Sequence, residues 1–116
     1  MLKSFRDYLE SFLTFYCKKK NIKYKQGMNE IMGPFLFIKA NFNISLSKLY
    51  NLSSCFIDKF LTNYYNDDEF YSLQSSLGGV QILLKYHQPI LYNIFEKFVI
   101  TPDLYATSWI LTLFSK

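Results

Sequence analysis

The chain of 116 residues is poor in the residues most enzymes use for polar chemistry. One histidine, His87, excludes a histidine-rich metal site. His87 stands beside Pro89 across Gln88, a setting that suits a helix junction better than a general base. Two cysteines, Cys17 and Cys55, have no metal-ligand spacing. Both are expected as small buried hydrophobes rather than a disulfide. Four glycines and three prolines supply too few turns for a many-stranded sandwich or barrel. No glycine loop follows a strand, which removes P-loop and dinucleotide-binding fingerprints. No apolar run approaches the ~18 to 20 residues that span a bilayer. Met1 leads into a charged amphipathic segment, unlike a signal peptide. No cofactor and no metal is expected.

What the chain has is apolar and aromatic. Hydrophobic residues make up 50% of it and aromatics 20%, against 19% charged residues. That is enough apolar surface to offset the entropy of ordering one small domain. Charge is unevenly spread. Residues 1–25 carry seven bases (Lys3, Arg6, Lys18, Lys19, Lys20, Lys23, Lys25) and two acids, a balance of +5. Such a cluster is either a solvated helix end or an attractant for an acidic surface. With one arginine and a single short basic run, nucleic-acid binding is not expected. The reading is a cytosolic domain.

The periodicity is helical throughout and predicts an all-α fold of about six helices. Leu2 to Lys19 places Phe5, Tyr8, Leu9, Phe12, Leu13 and Tyr16 on one stripe, and Asn21 can end the helix. Ile22 to Gly27 is a short connection. An apolar segment from Met28 to Ala40 is expected to split at Gly33-Pro34. A third helix, capped by Ser45 or Ser47, runs to Tyr64. Asn66-Asp67-Asp68-Glu69 reads as the start of a fourth, since acids favour the positive helix end. It lacks the spacing of a calcium loop. Gly78-Gly79 inside that helix marks either close packing or an interruption. Pro89 opens a fifth helix to about Phe98. Leu104 to Ser115 is apolar nearly all round and is expected to be central.

One segment stands apart: Tyr24-Lys25-Gln26-Gly27-Met28-Asn29 followed by an apolar helix. A glycine turn delivers the Gln26 amide at a helix start, where it either caps the helix or is presented outward. This block resembles the glutamine-finger motif of TBC domains, the GTPase-activating domains for Rab-type small GTPases. Leu83-Leu84-Lys85-Tyr86-His87-Gln88-Pro89 resembles the family's mid-domain helix junction. Tyr105 to Ser115, with Trp109 and Leu113-Phe114-Ser115, resembles its buried aromatic helix. The resemblance covers essentially the whole chain.

The resemblance implies an activator rather than an enzyme in its own right. Gln26 matches the catalytic glutamine supplied in trans to a GTP-bound Rab-type GTPase. Tyr24, Gly27 and Asn29 match its support. It also implies a role in vesicle trafficking, in the cytoplasm and peripherally on endomembranes through the partner. The family's arginine comes from an Ile-x-x-Asp-x-x-Arg motif upstream of the glutamine, and no such motif is present. Arg6 is too close to Gln26 for that layout and reads as a helix-surface residue paired with Glu10. Residues 1–116 are therefore expected to be a partial TBC domain, cut before the arginine motif and before the C-terminal helices. The alternative is a non-catalytic TBC-like module that binds a GTPase or another trafficking protein.

Overall fold

Three antiparallel segments build the first half of the molecule, because each carries one apolar stripe that needs a neighbour. The computed structural model describes residues 2–116. The side chain of Lys3, part of the basic cluster, lies outside the described residues. The described chain is all-helical, with α1 (Leu2–Lys20), α2 (Met28–Phe42), α3 (Leu46–Phe60), α4 (Thr62–Tyr65), α5 (Tyr71–His87), α6 (Pro89–Lys97), α7 (Pro102–Tyr105) and α8 (Thr107–Leu111). None of these helices is long and apolar enough to cross a membrane.

The core gathers Phe12, Leu13 and Tyr16 of α1 against Met28, Ile31, Met32 and Leu36 of α2. Leu49 and Ile57 of α3, with Leu61, Tyr65, Leu73 and Leu111, complete it. Asn21 and Asn43 end α1 and α2 in the left-handed region, at φ 53° and 50°. Short polar side chains tolerate that conformation best. Ser45 caps α3 by accepting the Lys48 N–H at 3.3 Å, which decides between the two candidate caps.

The second half is thinner. No residue of α6 is buried. The molecule measures 50 × 29 × 21 Å with a radius of gyration of 17.1 Å. A compact domain of this length would have a radius of about 13 Å. Ile82, Leu83 and Tyr86 of α5, Ile90 of α6, and Phe98, Val99, Leu104 and Phe114 all face solvent.

Several expectations from pattern are corrected. Helix α2 runs unbroken through Pro34. Pro34 sits on the exposed side, where water can take the Glu30 carbonyl that loses its donor. The third helix breaks at Leu61, whose φ of −130° and ψ of 0° end α3 and start α4. The acidic run is a turn and not a helix start. Asp67 accepts the N–H of Glu69 at 3.2 Å and of Ser72 at 2.9 Å, and α5 begins only at Tyr71. The last apolar segment is divided at Ala106 into α7 and α8, and Trp109 and Phe114 are exposed rather than central. This division and the break at Leu61 each add one helix, which makes eight among the described residues in place of about six. Cys55 is exposed, Cys17 is half-buried, and both are free thiols.

Gly78 and Gly79 mark neither close packing nor a break. Helix α5 continues through them, and a Cβ on either would meet nothing within 4 Å. Gly78→Ala is therefore expected to stabilise the domain by about 0.5–1 kcal/mol, through helix propensity and a stiffer unfolded chain. An unchanged or lowered urea midpoint would contradict this.

Candidate functional site

The connection between α1 and α2 alternates in burial. Tyr24 is exposed, Lys25 buried, Gln26 exposed and Gly27 buried. An extended segment points successive side chains to opposite sides, so the inward turn of Lys25 sends Tyr24 and Gln26 outward. Gln26 lies in the turn that enters α2. No hydrogen bond to the rest of the described chain holds its amide, and it does not cap α2. Of the two uses left open by the sequence, the structure supports outward presentation.

The two buried neighbours fix the turn from opposite sides. The Lys25 Nζ donates to the carbonyl oxygens of Tyr64 at 2.9 Å and Asp67 at 2.6 Å. It also lies 4.7 Å from the centre of the Phe70 ring and 4.0 Å from Asp68. The Lys25 N–H points at the Met28 sulfur at 3.3 Å, and the Met28 N–H returns to the Lys25 carbonyl at 3.2 Å. Gly27 has a φ of 106°, open to glycine and strained for other residues. Its α-carbon faces the end of α8, where an added Cβ would stand 3.1 Å from Thr112 Cγ2. That end is itself held, since the Tyr65 hydroxyl donates to the Leu111 carbonyl at 2.9 Å. The Thr112 hydroxyl donates to the Ser108 carbonyl at 2.6 Å.

Beside the turn, the Tyr24 hydroxyl donates to Asn29 Oδ1 at 3.2 Å. The pair forms one lip of a groove of about 760 Å³. Leu9 and Leu13 of α1 line its apolar side, with Arg6 and Glu10 at its edge. Arg6 thus lies on the α1 surface as its position suggested. Its pairing with Glu10 is not formed among the described residues. All four residues matched to the glutamine motif are brought together: Gln26 outward, Tyr24 and Asn29 hydrogen-bonded beside it, Gly27 beneath.

The basic cluster is partly engaged within the fold, while Arg6, Lys18, Lys19 and Lys23 stay exposed. Lys20 pairs with Asp58 at 3.1 Å, Lys23 approaches Asp68 at 4.0 Å, and Lys25 is buried. The Lys19 ammonium lies over the Tyr50 ring at 4.3 Å. Among the described residues no cluster of His, Cys, Asp or Glu is arranged to hold a metal ion. The acidic partner of the turn, Asp67, has its carboxyl held below the usual range. The Ser72 N–H is the main cause, with the Glu69 N–H and Lys25 adding to it.

Lys25, Tyr65, Asp67 and Thr112 were not legible as parts of this site. Their partners are backbone carbonyls and a glycine tens of residues away, and no local spacing announces such contacts.

The Rab-GTPase-TBC domain family matches the chain over residues 3–116. Proteins named "TBC domain-containing protein kinase-like protein" from Gallus gallus and Homo sapiens are each 34% identical over 95 residues, covering 82% of this chain and 10% of their own length. One of the same name from Dictyostelium discoideum is 32% identical over 94 residues, covering 79% of this chain and 9% of its own. The chain thus spans about a tenth of the length of the curated relatives it matches. No solved structure matches it.

Proposed function

The chain belongs to the Rab-GTPase-TBC domain family, and from that premise we propose that it presents Gln26 in trans to a GTP-bound Rab-type small GTPase and accelerates hydrolysis of the nucleotide. Hydrolysis by a small GTPase alone is slow because charge builds on the γ-phosphoryl oxygens and the attacking water is poorly oriented. A primary amide carries an acceptor and two donors. Its oxygen can take a proton of the water while its nitrogen donates to a γ-phosphoryl oxygen. Such help costs little at the moment of reaction only if the amide is already aimed. The observation that carries the reading is the exposed Gln26 between two buried anchors, Lys25 and Gly27. Tyr24 and Asn29 form the lip against which the GTPase would seat.

The arginine that neutralises the developing charge is supplied from outside residues 1–116 in this reading, as are the helices that cover the apolar side of α5, α6 and α8. The exposed Ile82, Tyr86, Ile90 and Phe114 support a partial domain. The domain works in the cytoplasm, reaching endomembranes and vesicle trafficking through its partner. A second reading, a non-catalytic module that binds a GTPase or another trafficking protein, is favoured by one observation: the only arginine, Arg6, sits on α1 at the groove edge.

The test is Gln26→Ala in the full-length protein that carries this domain. The side chain is exposed and makes no hydrogen bond among the described residues, so folding is expected to be unchanged. The hydrolysis of GTP that the protein stimulates in a Rab-type GTPase is expected to fall at least about tenfold. Unchanged hydrolysis with retained GTPase binding would favour the non-catalytic module.

A further inference from the structure

Lys25 belongs to the basic cluster in sequence, yet its side chain is only 6% exposed. Burying an ammonium is costly unless its protons are used. Here they are aimed at two carbonyls, those of Tyr64 at the end of α4 and Asp67 in the following turn. Carbonyls at a helix end lack intrahelical donors, so they are ready acceptors. The Phe70 ring closes over the same ammonium, with the Phe70 backbone in the left-handed region at φ 58°.

The α4–α5 turn is itself ordered. Asp67 holds it from within through the N–H groups of Glu69 and Ser72, and the Tyr64 hydroxyl bonds Ser76 Oγ of α5 at 2.9 Å. A rigid seat therefore receives Lys25 from a point about forty residues away in sequence. Because Lys25 is buried and Gln26 exposed beside it, a backbone roll that re-aims Gln26 would draw the ammonium away from the two carbonyls.

We propose that Lys25 is a positioning residue for Gln26: its seat on the Tyr64 and Asp67 carbonyls fixes the direction in which the glutamine amide leaves the surface. The proposal rests on the reading of Gln26 as the glutamine offered to a GTPase. It assigns Lys25 no contact with the GTPase or the nucleotide. It also makes the α4–α5 turn part of the catalytic apparatus, through Asp67.

Two measurements test it. The first is a double-mutant cycle on stimulated GTP hydrolysis in the full-length protein, with a GTP-loaded Rab-type GTPase as substrate. Lys25→Met is expected to lower kcat about tenfold and leave KM for the GTPase within about twofold. The variant carrying both Lys25→Met and Gln26→Ala is expected to be no slower than Gln26→Ala alone, within about twofold. Losses that multiply, or a KM increase at constant kcat, overturn the proposal.

The second measurement needs no GTPase. The Met28 amide, bonded to the Lys25 carbonyl, is expected to exchange at least tenfold faster in Lys25→Met, while amides of the α1–α3 core keep their protection. Should Lys25→Met fail to fold, Asp67→Ala loosens the seat and keeps the lysine, and the same selective loss at Met28 is expected. Unchanged exchange at Met28 overturns the proposal. If Gln26→Ala leaves hydrolysis unchanged, the glutamine reading itself fails, while Met28 exchange still decides whether Lys25 fixes the turn.

Discussion

Replacing Gly27 with alanine is expected to destabilise the domain by about 2–4 kcal/mol. Two costs combine. The backbone at Gly27 has φ 106° and ψ −19°, where an L-residue pays a steric penalty of about 1–3 kcal/mol. The added Cβ would then lie 3.1 Å from Thr112 Cγ2 and 3.5 Å from the Leu111 carbonyl oxygen. Neither neighbour moves freely, because Thr112 is tied to Ser108 and the Leu111 carbonyl to the Tyr65 hydroxyl. The two costs are separable. Thr112→Ser removes the Cγ2 methyl, so the double variant is expected to recover about 1 kcal/mol and no more, leaving the backbone penalty. Urea midpoints at constant slope measure both. A Gly27→Ala variant within about 0.5 kcal/mol of the parent would show that the turn relaxes, and the rigid presentation of Gln26 would lose its physical basis.

The features legible in the sequence are those with local causes. The α1 boundaries follow from a stripe at steps of three and four and an asparagine stop. The start of α6 follows from Pro89, which suits a first helical turn. The Gln26 block was legible because a glycine turn before an apolar helix is a local pattern. Failures arise where a non-local contact outweighs the pattern. Pro34 reads as a break, yet packing of Ile31, Met32 and Leu36 on both sides of it keeps α2 whole. Asp67 and Asp68 read as a helix start, yet Lys25 and the Asp67 carboxylate turn the segment into a seat. Leu104 to Ser115 reads as central because it is apolar on every face, but only Ala106, Leu111 and Thr112 are buried. Composition gives the amount of apolar surface and not what covers it. Lys25 is the sharpest case. Its hydrogen-bond acceptors are two main-chain carbonyls, and every residue type carries one, so side-chain identity does not reveal them.

Raising the pH above about 10 is expected to unfold the domain steeply, and the reason lies in the same core. Tyr16 and Tyr65 are buried, and burial pushes both phenols well above the usual tyrosine range. Nearby Asp58 adds to the rise at Tyr16, and Tyr16 adds to it at Tyr65. A pKa raised in the folded state means that the folded protein holds the proton longer than the unfolded chain does. The stability is therefore fully present below the unfolded value of about 10 and is lost as pH rises toward the folded value. Each such tyrosine contributes a slope of about 1.4 kcal/mol per pH unit, so the pair gives nearly 3 kcal/mol per unit once both ionise in the unfolded chain. A domain with the ordinary reserve of about 5–15 kcal/mol is exhausted within a few units. Tyr65→Phe gives the sharper test, because its two effects have opposite sign. At pH 7 it leaves the Leu111 carbonyl without its phenol donor, at a cost of about 1 kcal/mol. Above pH 10 it removes one ionising group and lowers the slope by about 1.4 kcal/mol per unit, with Tyr16, Tyr105 and Cys17, all raised by burial, still contributing. The stability curves of parent and variant are expected to cross between pH 10 and about 12. Parallel curves through that range would mean that the Tyr65 phenol ionises in place. The bond that secures the α8 end against Gly27 would then be weaker than its 2.9 Å geometry indicates.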